Sequence, residues 1–233
     1  MALNNKKQEQ EGKETVEFFK DLDKTAFNVE QGLEKDAKII GIAFGAVTLA
    51  ILGFFGYKQF IEAPKNEEAI KSFLVAQSNL NKGEQDLALG GKSAANPGFV
   101  GTYNEYSSTN VGKLAAYNAG LIEYKKGNYQ KAHDLLDKFS SDNKTLVALK
   151  YGAMADCLAN LNKNEDALAL LDKASSTSDD PYTSYYFTRK AGLMALAANK
   201  NTEAKKYFSI IDEKYQDYDN SQSDAYIEMT KYY

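Results

Sequence analysis

Lys113–Asn143, KLAAYNAGLIEYKKGNYQKAHDLLDKFSSDN, reads as two helices joined by a turn at Lys126-Gly127-Asn128. Gly120 stands where the two helices cross. Tyr129 and Ala132 follow the turn, and Phe139 holds the packing position of the second helix. Antiparallel helices approach closely only where neither carries a bulky side chain, so the glycine and the alanine mark a helical hairpin.

The pattern recurs twice downstream. ALKYGAMADCLANLNKNEDALALLDKAS begins near Ala148, and YYFTRKAGLMALAANKNTEAKKYFSII begins near Tyr185, so the starts lie 35 and 37 residues apart. That spacing is close to the period of about 34 residues of the tetratricopeptide repeat, which the first unit resembles. The matching small residues are Ala155 and Ala167, then Gly192 and Ala204. Asn162-Lys163-Asn164 and Asn199-Lys200-Asn201 replace the glycine turn, because asparagine tolerates the left-handed backbone that ends a helix.

Upstream, Glu67–Leu80 predicts a helix following Pro64, Lys82–Asn96 a loop, and Pro97–Tyr106 a short second helix. Together they form a degenerate unit with an insertion between its helices. Ser221–Tyr233 predicts a last helix covering the apolar face that a repeat array leaves open.

Ahead of the repeats, Ile39–Tyr57 (IIGIAFGAVTLAILGFFGY) runs nineteen residues without a charge. As a helix it is about 28 Å long, close to the hydrocarbon core of a bilayer. It is longer than a signal-peptide core and ends in Tyr57-Lys58-Gln59-Phe60 rather than at a small-residue cleavage site, so it is expected to remain as an anchor. Gly41, Gly45 and Gly53 are candidates for contact with another membrane helix, since small residues let helices approach in lipid. Lysines number four in the twenty residues before the span and three in the twenty from Lys58, which leaves orientation open. Val16, Phe19, Leu22, Ala26, Val29, Leu33 and Ala37 form one apolar stripe before the anchor.

The expected class is therefore all-α: a single transmembrane helix followed by a tetratricopeptide-like helical repeat solenoid. The expected organisation is an N-terminal segment over 1–38, the anchor over 39–57, a juxtamembrane helix and degenerate repeat over 58–112, three repeats over 113–220, and a capping helix over 221–233.

Composition argues against catalysis and nucleic-acid binding. The net charge is −4, and Arg189 is the only arginine, against the basic patches that phosphate recognition needs. One cysteine, Cys157, and one histidine, His133, leave no disulfide framework and no Cys/His zinc site. Cys157 is expected as a buried small thiol, and Asp179-Asp180 before Pro181 as a helix start. Gly90-Gly91-Lys92-Ser93 lacks the upstream glycine of a phosphate loop. No cofactor, metal, small-molecule substrate or enzymatic activity is expected.

ALGG (88–91), LAAYNAG (114–120), GNYQKAHDLLDKFSSD (127–142) and RKAG (189–192) resemble the YfgM-like tetratricopeptide ancillary subunits of the SecYEG translocon, in their Bacteroidetes-type branch. The resemblance implies an inner-membrane protein with its N-terminus in the cytoplasm and its repeat domain in the periplasm. It further implies an adaptor at the translocon, associating with SecYEG, a PpiD-type chaperone and emerging exported proteins. A scaffold subunit of another envelope complex and a cytosol-facing anchored receptor are the alternatives.

Arrays of this kind bind along the face lined by the first helix of each unit. The candidates there are Leu114, Tyr117, Leu121, Tyr124 and Lys125 in the first unit, Leu149, Asp156 and Asn160 in the second, and Tyr186, Arg189 and Leu193 in the third. Tyrosines on such a face offer broad apolar contact plus a hydroxyl. Tyr117 and Leu121 occupy two positions of the Lys/Asn clamp that holds terminal carboxylates in cytosolic repeat cochaperones, so that clamp is not expected here.

Overall fold

The computed structural model describes Lys20 and residues 45–232. Chain contacts divide the protein into two compact units, Met1–Glu62 and Ala63–Tyr233.

In the first unit, residues 45–57 are helical (α1) and Lys58–Glu62 form a π-helical turn. The turn ends just before Pro64, which has no N–H to donate one turn back. The large apolar side chains of α1 face outward; Val47, Leu49, Leu52, Phe54 and Phe55 are all more than half exposed. A side-chain carbon built on Gly45 or Gly53 would meet nothing within 4 Å. Among the described residues no helix is long and apolar enough to cross a membrane. Residues 39–44 of the predicted span, Gly41 with them, and the apolar stripe from Val16 to Ala37 lie outside the described residues.

The second unit is all-helical, with repeat-like packing. Its helices are α2 (Ala63–Asn81), α3 (Gln85–Gly90), α4 (Gly98–Tyr106), α5 (Asn110–Lys125), α6 (Tyr129–Asp137), α7 (Lys144–Asn160), α8 (Asn164–Thr177), α9 (Pro181–Ala197), α10 (Asn201–Lys214), α11 (Gln216–Asp219) and α12 (Asp224–Thr230). Among the described residues the only extended pairing is an isolated bridge between Ser93 and Asn96.

One local motif is used four times. α2, α5, α7 and α9 each end on a left-handed residue: Gly83 at φ 80°, Gly127 at 80°, Asn162 at 60° and Asn199 at 57°. The following residue then closes the helix end. Glu84 N–H donates to Asn79 O at 2.9 Å, Asn128 to Glu123 at 2.9 Å, Lys163 to Leu158 at 2.9 Å and Lys200 to Ala195 at 2.8 Å. This is the Schellman closure, which satisfies carbonyls that a helix terminus leaves open.

Counting from the left-handed residue gives the packing. Seven residues earlier stand Ala76, Gly120, Ala155 and Gly192; five residues later stand Ala88, Ala132, Ala167 and Ala204. All eight are buried. At Gly120 a side-chain carbon would lie 2.7 Å from Leu136 Cγ, so the α5–α6 contact requires its absence.

This register corrects the expectation of a loop over Lys82–Asn96. The turn after α2 is the same as in the other units, and α3 starts the second helix in step with α6, α8 and α10. The insertion falls inside that second helix, which breaks at Gly91 and resumes as α4. Gly91 (φ 68°) and Gly98 (φ 67°) let the two backbone ends meet; a side-chain carbon on Gly91 would sit 1.9 Å from Asn96 O. No side-chain-bearing residue fits there.

The first helices of the units start on side-chain caps. Thr109 accepts from Gly112 N–H at 2.9 Å, Asn143 from Leu146 N–H at 3.0 Å, and Asp180 from Thr183 N–H at 2.9 Å. These bonds satisfy donors that the first turn exposes. α2, α5, α7 and α9 lie side by side in that order along neighbouring contacts α2–α5, α5–α7 and α7–α9. α4, α6 and α8 each pack against the first helix of the next unit, and α12 packs on α10 where a further unit would begin. Among the side chains fully enclosed by this stacking are Phe99, Leu136, Leu171, Phe208 and Ile211. Each contributes roughly 1.5–3 kcal/mol.

Candidate binding face and the tyrosine pocket

The eleven candidate residues of the first-helix face fall into distinct surroundings. Tyr117, Leu121 and Tyr124 on α5 are half-buried and pack against the cluster of Ala132, Leu136, Met154 and Cys157. Tyr117 lies 5.1 Å from the Phe139 ring and Tyr124 lies 5.5 Å from Tyr129, centre to centre. Burial pushes both phenols above their ordinary value. These side chains join one unit to the next.

The α7 candidates split. Asp156 pairs with Lys190 of α9 at 2.6 Å, a bridge between adjacent first helices. Asn160 donates to Asp156 O at 2.8 Å and reaches the Tyr124 hydroxyl at 3.4 Å. Leu149 is open, 39% exposed. Leu114 lines a shallow depression of about 280 Å³ with Phe139 and Leu146, and Lys125 is exposed at the end of α5.

Tyr186, Arg189 and Leu193 come together. They line a pocket of about 410 Å³ whose other walls include Tyr182, Tyr185 and Lys190 from α9, Tyr218 from α11, and Asn220 and Gln222 from the segment that follows it. Tyr182 is 58% exposed and Tyr186 49%. Lys190 Nζ sits 5.9 Å from the Tyr186 ring centre, within cation–π range, while still paired to Asp156.

The roof is held by a buried carboxylate. Asp219 is 3% exposed, and its oxygens accept from Tyr185 Oη at 2.9 Å, Ser223 Oγ at 2.6 Å and Ser223 N–H at 2.8 Å. Burial, then the bond to Asp219, pushes the Tyr185 phenol up to about 12. Between Asp219 and Ser223 the chain passes through two left-handed residues without glycine, Asn220 (φ 44°) and Ser221 (φ 62°). That conformation is costly for serine and persists because its surroundings fix it. It brings the Gln222 carbonyl over Arg189, whose Nη2 donates to it at 3.4 Å.

Tyr182, Tyr218, Asn220 and Gln222 were not legible as site residues. Tyr182 precedes the aligned repeat, and the other three follow it. The available signal was the density of tyrosines at 182, 185, 186, 215 and 218.

The remaining chemistry-bearing residues are structural. Cys157 is fully enclosed, and burial, with Asp156 adjoining, pushes its thiol up to about 11. Its thiolate is scarce at neutral pH. Asp179 pairs with Lys144 at 2.9 Å; the Thr183 hydroxyl and N–H hold the Asp180 carboxyl below the usual carboxylate range. His133 lies 3.7 Å from Asp134 on α6. Among the described residues no three His, Cys, Asp or Glu side chains gather in a way that would hold a metal ion. No protein-family profile matches the chain, and no curated protein matches it at significant similarity.

Proposed function

We propose that this chain is a single-pass, membrane-tethered adaptor of the tetratricopeptide type, whose repeat domain captures segments of other proteins on its first-helix face. The carrying observation is the stacking of α2, α5, α7 and α9 from a single repeated turn, ending in an open tyrosine-lined pocket on α9. Aromatic rings with a polar tip supply contact area at low conformational cost, which suits recognition of varied protein segments.

Two sequence features support the tether and its setting. The uncharged run Ile39–Tyr57 has the length of a membrane helix, and its part over 45–57 is helical with outward apolar side chains. The setting proposed from the resemblance to YfgM-like subunits is the inner membrane beside SecYEG, with the repeats in the periplasm near a PpiD-type chaperone. A tether raises the local concentration of the face at the channel exit, so modest contacts suffice.

A scaffold role in another envelope complex is favoured by one observation: the α5 tyrosines are engaged in packing between units. Pull-down of the full-length chain from its own membranes in mild detergent, followed by mass spectrometry, separates the two. Sec channel subunits and a PpiD-type chaperone are expected above a membrane-protein control. Another envelope machine recovered without them would overturn the translocon assignment. Photo-crosslinkers at Leu149 and Tyr186 are expected to trap exported chains, and a scaffold would trap none.

A further inference from the structure

We infer that the N-terminal edge of the array, the open side of α2 with the cleft beside it, docks a basic amphipathic helix of another protein. Ile70, Leu74 and Val75 receive the apolar face of that helix, and one of its lysines or arginines enters the cleft. The inference stands apart from the reading of the first-helix face, since it concerns the side of α2 on which a preceding unit would pack.

Within its compact unit α2 packs on α3, α4 and α5. The register shows what its remaining side lacks. Counting back from the left-handed residue, Lys71, Val75 and Ser78 hold the places that Ala115, Ala119 and Ile122 hold in α5. Those three are enclosed in a cluster with Ala76, Leu89 and Phe99 of the unit before. On α2 the corresponding side is open: Val75 is 38% exposed, with Ile70 (45%) and Leu74 (58%) beside it. The other end of the array differs, because α12 packs on α10 there. A helix laid along α2 would bury the three apolar side chains as α5 buries its own.

The adjoining cleft fixes the charge of the occupant. It has a volume of about 220 Å³, room for one long side chain, and its walls include Glu68 and Val75 of α2, Ala95 and Pro97 of the insertion, and Glu105 of α4. Lys71, which also lines it, is answered by Glu67 at 2.7 Å. Neither Glu68 nor Glu105 makes an ion pair among the described residues. Burial, then the Glu105 charge and Glu68 behind it, pushes the Tyr106 phenol above its ordinary value, so both carboxylates act on the same side chain of the cleft. A lysine or arginine matches these walls, with an apolar stem for Val75, Ala95 and Pro97 and a cationic head for the carboxylates. The same charges argue against other occupants. An anionic bilayer surface attracts basic faces, and a second copy would bring its own Glu68 and Glu105 to the interface.

The test uses the full-length chain in mild detergent, with protein-free micelles as the baseline, and fluorescence anisotropy with two labelled helical peptides. Both carry leucines on one face at three- and four-residue steps. Lysines flank that face in the first peptide and glutamates in the second. The lysine peptide is expected to bind roughly 5- to 20-fold more tightly than the glutamate peptide. Glu68→Gln combined with Glu105→Gln should remove most of that preference, and Leu74→Ser should weaken both peptides by about 3- to 10-fold. All three side chains are exposed, so the variants are expected to fold. A photo-crosslinker at Val75 should trap the lysine peptide. Equal binding of the two peptides, or an unchanged preference in the double variant, overturns the inference. Crosslinks at Leu149 and Tyr186 without Val75 also overturn it, while leaving the adaptor reading of the first-helix face in place. A concentration-dependent dimer in sedimentation that Leu74→Ser abolishes would give the surface to a second copy. Quenching of a fluorophore at position 74 by lipid-borne quenchers, with the chain in a bilayer, would give it to the membrane. Either result overturns the inference.

Discussion

Tyr117 on α5 and Arg189 on α9 hold the same place in their repeats, each ten residues before the left-handed residue that closes its helix, Gly127 and Asn199. Their surroundings differ entirely. Tyr117 is walled in by Phe139 and the cluster containing Met154 and Cys157 of the next unit. Among the described residues no repeat unit packs over Arg189, and the Asp219–Ser223 segment reaches over it instead. Register in a stacked array therefore fixes which helix face a residue occupies, while the neighbour decides whether that face is core or binding surface. The end of the array is where first-helix side chains are left available.

That contrast is open to direct attack by unfolding in urea. Tyr117→Ala is expected to cost about 2–3 kcal/mol, because it removes a half-buried ring packed between units. Arg189→Ala is expected to cost less than about 1 kcal/mol. Equal losses at the two positions would erase the distinction between covered and open ends.

The end of the array also carries a distinctive response to base. Burial pushes both Tyr185 and Tyr207 up to about 12, the first with Asp219 as acceptor and the second with Asp172 nearby. An unfolded tyrosine loses its proton near pH 10, so between about pH 10 and 12 the folded state holds more protons than the unfolded one. Stability is then full below about pH 10 and falls as pH rises toward 12, by on the order of 2 kcal/mol for each tyrosine. Thermal unfolding followed from pH 9 upward should show that decline, and Tyr185→Phe should remove its share of the slope. A profile unaltered by the substitution would mean that the Asp219 network does not hold the end segment.

Much of the repeat was legible because its constraint is local. Gly120, Ala155 and Gly192 could be aligned from spacing, and Asn162 and Asn199 could be read as left-handed turns, since each requirement concerns one residue's size or backbone freedom. Ala76 and Ala88 obey the same rule around Gly83, yet the break at Gly91 disguised the start of that unit's second helix as part of a loop. The pocket was legible only in its α9 half, through Tyr186, Arg189 and Leu193. Its other half depends on Asp219 accepting from Tyr185 across 34 positions of chain, a long-range bond that leaves no periodic trace.

A more local effect is expected in the array's interior. Thr109 is buried, caps α5 through Gly112 N–H and donates to Tyr106 O at 2.8 Å. Thr109→Ala is expected to cost about 1–2 kcal/mol and Thr109→Ser to restore most of it, again by urea unfolding. Asp180 plays the same part on α9, but as a carboxylate held below its usual range. Its contribution is present above the ordinary carboxylate range and fades as pH falls through it, whereas the Thr109 cap is indifferent to acid.

Because the sequence contains one arginine and that arginine is in the α9 pocket, the protein has a built-in chemical address. A dicarbonyl reagent selective for guanidinium groups can mark only this position, and mass spectrometry of a single peptide reports the extent of reaction. Protection of that one peptide by any added protein, membrane extract or nascent chain would locate an occupant without a mutation being made.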